Sequence, residues 1–116
     1  MAVSIEEMIA SWRRRQAERH EKAEARAGVL RARLPEAKRL LQSHGARKVI
    51  LFGSLARGDV TERSDVDLAV EGVRPVEYFT ALAELNGLFD SPVDLVELET
   101  AGESIKARIA FEGVTL

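Results

Sequence analysis

Val49-Ile50-Leu51-Phe52 is an unbroken apolar run that stops abruptly at Gly53-Ser54, and it sets the plan of the chain. A short apolar run between polar flanks suits a strand covered on both faces. A sheet covered on both faces needs helices packed on it, so the expected fold class is α/β (α+β): a small mixed sheet of three to four strands flanked by helices.

Upstream of Lys48 the pattern is helical. Ser4 followed by Glu7 is a capping-box signature, and a helix is read from residue 4 to about 33. Small or apolar residues fall at Ile5, Ile9, Trp12, Ala23, Ala27, Leu30, Leu34, Ala37 and Leu41, a helical stripe. Its middle carries few large apolar groups, which predicts weak packing there or packing against another chain. Trp12 is read as packing onto the domain, with docking of a partner as the other use. Pro35 suits the first turn of a new helix, so a break is expected near Leu34 and a second helix over 35–43, closed by His44-Gly45. Residues 1–34 are thus an N-terminal helical extension and 35–116 the main domain.

Downstream, Ser54 to Arg57 reads as one helical turn and 58–64 as a polar loop. Asp65-Val66-Asp67-Leu68-Ala69-Val70 reads as a second strand. A helix from 75 or 76 to 89 places Tyr78, Leu82, Leu85 and Phe89 on one face. Val93 to Leu98 alternates as a third strand, and 102–111 forms a last helix with Ile105, Ile109 and Phe111 turned inward.

At 116 residues the chain has room for one domain. It has no cysteine, which excludes disulfides and thiolate metal sites and fits a reducing compartment. No apolar run approaches the roughly 18 residues of a membrane span, and the N-terminus lacks a signal-peptide pattern; a cytoplasmic location is expected. The net charge of −2 hides an asymmetry. Residues 1–48 carry twelve basic and six acidic residues, a net of +6, and residues 49–116 carry five and thirteen, a net of −8. The basic half either solvates a long helix or attracts an acidic partner.

The chemistry concentrates in the acidic half. Asp65 and Asp67 stand two apart in a strand and share a face. Alone, such a pair reads as two solvated acids at a strand end. Held side by side, one carboxylate takes up a proton unless a cation lies between them, and Mg²⁺ prefers oxygen ligands together with substrate phosphates. Gly53-Ser54 adds a turn whose backbone N–H groups can face an anion. Asp94 lies in a strand that also reads as buried, where a polar group needs a partner or a ligand; if the second and third strands are neighbours, it completes a set of three.

The stretch from Gly53-Ser54 through Leu55-Ala56-Arg57-Gly58 to Ser64-Asp65-Val66-Asp67-Leu68 closely resembles the signature of the polymerase-beta-like nucleotidyltransferases. It is most similar to the minimal nucleotidyltransferase branch, whose members include antitoxins paired with HEPN-type toxins. The resemblance covers roughly residues 36–116 and leaves the first helix unexplained. It implies the nucleotidyltransferase fold, with Gly53, Ser54 and Arg57 binding the phosphates of ATP. It also implies that Asp65, Asp67 and Asp94 act catalytically and ligate two Mg²⁺ ions. Arg57 can equally pair with Asp59 or Glu62. The implied activity is transfer of AMP from ATP to a tyrosine hydroxyl of a HEPN toxin. The alternatives are a non-catalytic module that neutralises its partner by binding, and a small-molecule nucleotidyltransferase working with a separate acceptor-binding subunit. Homo- or hetero-oligomers could form through the first helix; a nucleic-acid partner is not expected.

Overall fold

The computed structural model describes residues 2–116. Helix α1 (Ile5–Ala32) runs for 28 residues, about 42 Å at 1.5 Å per residue. Ser4 caps it: its Oγ accepts from the Glu7 amide at 3.1 Å, and Glu6 and Glu7 lie in the first turn, where negative charge is favoured. Arg33 separates α1 from α2 (Leu34–Ser43), and Pro35 sits in the first turn of α2, as expected. Strand β1 (Lys48–Phe52) leads directly into the short helix α3 (Gly53–Arg57). Strand β2 (Val66–Glu71), a single 3₁₀ turn (Pro75–Glu77), helix α4 (Tyr78–Phe89), strand β3 (Val93–Glu97) and helix α5 (Glu103–Glu112) follow. A two-residue strand, β4 (Val114–Thr115), closes the sheet.

The strand order is β3-β2-β1-β4. β1 pairs antiparallel with β2 and with β4. β2 and β3 run parallel, and α4 joins them, the crossover a parallel pair requires.

Alternation sorts the two faces of the sheet. Val49, Leu51, Val66, Leu68, Val70, Val93 and Leu95 point to the main core, with Leu30, Leu41, Leu55, Leu85 and Phe89 from the helices. Each fully buried Leu or Phe in such a core contributes about 1.5–3 kcal/mol. Phe52 and Ala69 point to the opposite face, where a smaller cluster forms around Ile109 of α5. α5 covers only part of this face, so the strand ends beside it stay open to polar side chains.

α1 joins the domain through its second half. Ala23, Ala27 and Leu30 are buried, whereas Ile5, Met8, Ile9 and Trp12 are exposed. Trp12 therefore does not pack onto the domain, contrary to the sequence expectation, because the helix has left the domain before reaching it. Three arginines tie the docked half down: Arg26 to the Ser64 carbonyl, Arg31 to that of Leu55 and Arg33 to that of Leu88, at 2.9, 3.2 and 2.8 Å. Part of the basic charge of the first half thus serves to cap backbone carbonyls. Phe111 corrects a second expectation: it is 93% exposed, and α5 runs one residue further, to Glu112.

Candidate active site

Three sequence segments meet at one end of the sheet. β1 ends at Phe52 opposite Asp67, and Asp67 stands in register with Asp94 on β3. Paired residues of parallel strands point to the same face, so the Asp67 and Asp94 side chains both leave the sheet on the α5 side. Asp65 lies one residue before β2, not within it, and its charge is felt at Asp67. Asp65 and Asp94 are exposed and Asp67 is half-buried.

Gly53 closes the site from the other strand. It adopts φ +76°, a conformation that costs an L side chain roughly 1–2 kcal/mol. A Cβ there would also collide with the Asp67 carboxylate. Glycine at this position thus meets two demands, a left-handed turn out of β1 and close approach of the backbone to the acid. Ser54 follows, half-buried, at the start of α3.

The electrostatics single out Asp67. Its carboxyl is held above the usual Asp range, first by burial and next by the charge of Asp94; Arg108 opposes the shift, and Asp65 and Glu112 add to it. An acid destabilised as its anion by like charges is one that a cation relieves. The donors are carboxylate oxygens, the set that hard divalent ions take. Among the described residues, no group of three or more His, Asp or Glu side chains forms a ready-made metal cage. Asp67 and Asp94, in register on neighbouring strands, would supply the one or two carboxylates that Mg²⁺ combines with waters and substrate phosphates.

Two participants carry no signal in the sequence. Glu112, at the end of α5, accepts from the Gly53 amide at 3.0 Å, from Arg57 at 2.8 Å and from Arg108 at 2.9 Å. These contacts, Arg57 foremost, hold its carboxyl below the usual Glu range against the opposing effect of desolvation. Arg57 also donates to Asp59 at 3.1 Å, and the two acids, Glu112 first, raise its already high pKa. A carboxylate thus rests on the Gly53 amide and the Arg57 guanidinium, groups suited to a phosphate oxygen. The second unsignalled residue is Arg26. Its Nε donates to the Ser64 carbonyl and a terminal nitrogen to Ser91 Oγ, both at 2.9 Å. Ser64 directly precedes Asp65, and Ser91 lies just ahead of β3, so one guanidinium links the loops that lead into both acidic strands.

No described helix is long and apolar enough to cross a membrane.

Comparison with known proteins follows the same outline. Residues 36–116 match the family model described as polymerase beta, nucleotidyltransferase. A candidate protein adenylyltransferase of Methanocaldococcus jannaschii is 31% identical over 78 residues, 65% of this chain and 84% of the relative. The chain spans only about a third of the other curated relative that it matches. Among solved structures, a candidate minimal nucleotidyltransferase superposes with TM-score 0.68 at 31% identity, over 78% of this chain and 95% of that one. A toxin–antitoxin complex crystallised with AMP-PNP contains a chain that superposes with TM-score 0.60 at 27% identity, over 66% of each chain. With the family model covering the whole sheet and the glycine-aspartate end of it, the chain belongs to the polymerase beta nucleotidyltransferase family.

Proposed function

We propose that the chain transfers AMP from ATP to a hydroxyl of a partner protein, a tyrosine of a HEPN-type helical toxin, and so serves as the antitoxin of a pair. The observation that carries this reading is the register of Asp67 with Asp94 beside Gly53, with Asp67 resisting ionisation. Family membership supports nucleotidyl transfer. The relatives named as candidate protein adenylyltransferases support a protein acceptor. The toxin–antitoxin complex with AMP-PNP supports an adenine nucleotide and a toxin partner.

In this reading the acceptor hydroxyl oxygen attacks the α-phosphorus in line. The bond from that phosphorus to the bridging oxygen breaks, and pyrophosphate leaves. The Gly53 amide, Ser54 hydroxyl and Arg57 guanidinium hold the β- and γ-phosphates, which requires Glu112 to yield its place on Gly53 and Arg57. Asp94, exposed at the strand end, accepts the hydroxyl proton. Asp65, Asp67 and Asp94 would hold Mg²⁺, which when bound neutralises phosphate charge at the attacking and leaving oxygens.

The test is incubation of the protein with ATP labelled at the α-phosphate, Mg²⁺ and the purified product of the adjacent gene. Label is expected on a tyrosine of that product, and Asp67→Asn is expected to abolish it. Protection from the partner's toxicity without any label, undiminished in the Asp65→Asn, Asp67→Asn double variant, would replace this reading with neutralisation by binding.

A further inference from the structure

The first half of α1 leaves an apolar face uncovered. Ile5, Ile9, Trp12, Gln16, Arg19, Ala23, Arg26 and Leu30 follow at alternating steps of four and three residues and so share one side of the helix, in a seven-residue repeat. The later members of this row meet the domain: Ala23 and Leu30 are buried, and Arg26 bonds to Ser64. Gln16 and Arg19 line a cleft of about 510 Å³ whose far wall is the loop carrying Thr61 and Arg63. The earlier members meet nothing: Ile5, Ile9 and Trp12 are 74%, 44% and 56% exposed. A projecting helix of this length, without tertiary contacts, is marginal in water unless its apolar side is covered.

The charges beside this face indicate what covers it. Glu6 and Arg13 each lie next to the apolar row on the same flank, one heptad apart, and neither has an ion-pair partner within the chain among the described residues. In an antiparallel helix pair such flank positions face each other across the seam and set orientation. With Ile9 of one helix opposite Trp12 of another copy, and Ile5 opposite Gln16, Glu6 of each faces Arg13 of the other. The pair is self-complementary, the requirement of a two-fold contact. The aliphatic stem of Arg15 covers the partner's Met8 on the opposite flank. In this register Ala2 of each copy meets Arg19 of the other, which brings the partner's first residues to the mouth of the cleft. A parallel pair would deny Glu6 its partner. It would also force the two domains together, because the apolar row lies on the domain side of α1.

We propose that two copies of this chain associate through residues 5–16 of α1, packed antiparallel around Ile9 and Trp12, with the catalytic domains at opposite ends. This assembly is independent of nucleotide chemistry, and its test leaves the aspartates untouched. Sedimentation equilibrium of the full chain is expected to show a reversible monomer–dimer step. The emission of Trp12, the single tryptophan, should shift to the blue as the dimer forms. Glu6→Arg and Arg13→Glu should each weaken the dimer at least about tenfold, with the helical circular dichroism of the domain kept. Mixing the two variants should restore association, since both contacts then join opposite charges. Three results would overturn the proposal: a wild-type chain that sediments as a monomer at every concentration, a mixture that fails to rescue, or a dimer indifferent to Trp12→Lys.

Discussion

Gly53 packs directly against the Asp67 carboxylate while holding a left-handed φ of +76°. The turn that ends β1 is therefore also a wall of the acidic site. Gly58 offers a control, since its φ is +86° but nothing lies within 4 Å of the place its Cβ would occupy. Gly53→Ala is expected to cost about 2–4 kcal/mol in urea denaturation, conformational strain plus displacement of Asp67, and Gly58→Ala only about 1–2 kcal/mol. Equal losses would mean that the close approach to Asp67 carries no weight.

Asp67 works against the fold. A carboxyl raised above its unfolded value opposes folding as its anion; the cost is absent below the ordinary Asp range and grows as pH rises through the raised value. Asp67→Asn should therefore stabilise the protein without metal at neutral pH. The gain should show as a higher Tm at neutral pH that shrinks as pH falls toward the ordinary Asp range. Differential scanning fluorimetry across pH reads this. A lower Tm for the variant at pH 7 would contradict the assignment of cause.

Glu112 bears the opposite sign. Its lowered pKa means that its contacts stabilise the fold above the ordinary Glu range and are lost as pH falls through the lowered value. Because it rests on Gly53 and Arg57, it competes with any phosphate for them. Glu112→Gln keeps the shape and removes the charge, so the affinity for AMP-PNP with Mg²⁺ should rise about threefold to tenfold by isothermal titration. Weaker binding would make Glu112 a scaffold for the phosphate site instead of its competitor.

Arg26 touches no reacting group and acts by positioning, through Ser64 and Ser91. Arg26→Ala should lower kcat for nucleotide transfer about tenfold or more, since small misplacements of reacting groups are costly. KM for ATP should rise by less than kcat falls, because the Gly53-Ser54 turn lies outside the two loops that Arg26 links. Unchanged kcat would show that the two loops hold their places without it.

The outline of the fold was legible because the period of apolar residues changes where the structure changes. Val49–Phe52, the alternation after Val93 and the row Tyr78-Leu82-Leu85-Phe89 each report which side of an element is covered. β4 escaped notice because two residues at a sheet edge have no period to read. Phe111 faces solvent because it stands two residues past the buried Ile109 on α5, about 200° around the helix. Of the candidate site, the segments carrying Gly53, Asp65, Asp67 and Asp94 were visible, since i and i+2 spacing and glycine at a turn are local facts. Arg26 and Glu112 were not, because their partners lie 38 and 59 residues away in sequence, and only tertiary packing brings them there. Trp12 was expected on the domain; its exposure follows from the direction of α1, which no local pattern encodes.

Asp65, Asp67 and Asp94 are proposed to bind a nucleoside triphosphate through Mg²⁺. Isothermal titration of the full chain with AMP-PNP, with Mg²⁺ and then with EDTA, tests this most directly. The wild type should lose affinity at least about tenfold when the metal is removed, and Asp67→Asn should bind equally weakly under both conditions. Metal-independent binding by the wild type, or an Asp67→Asn protein that binds the Mg²⁺ complex as tightly as the wild type, would contradict it.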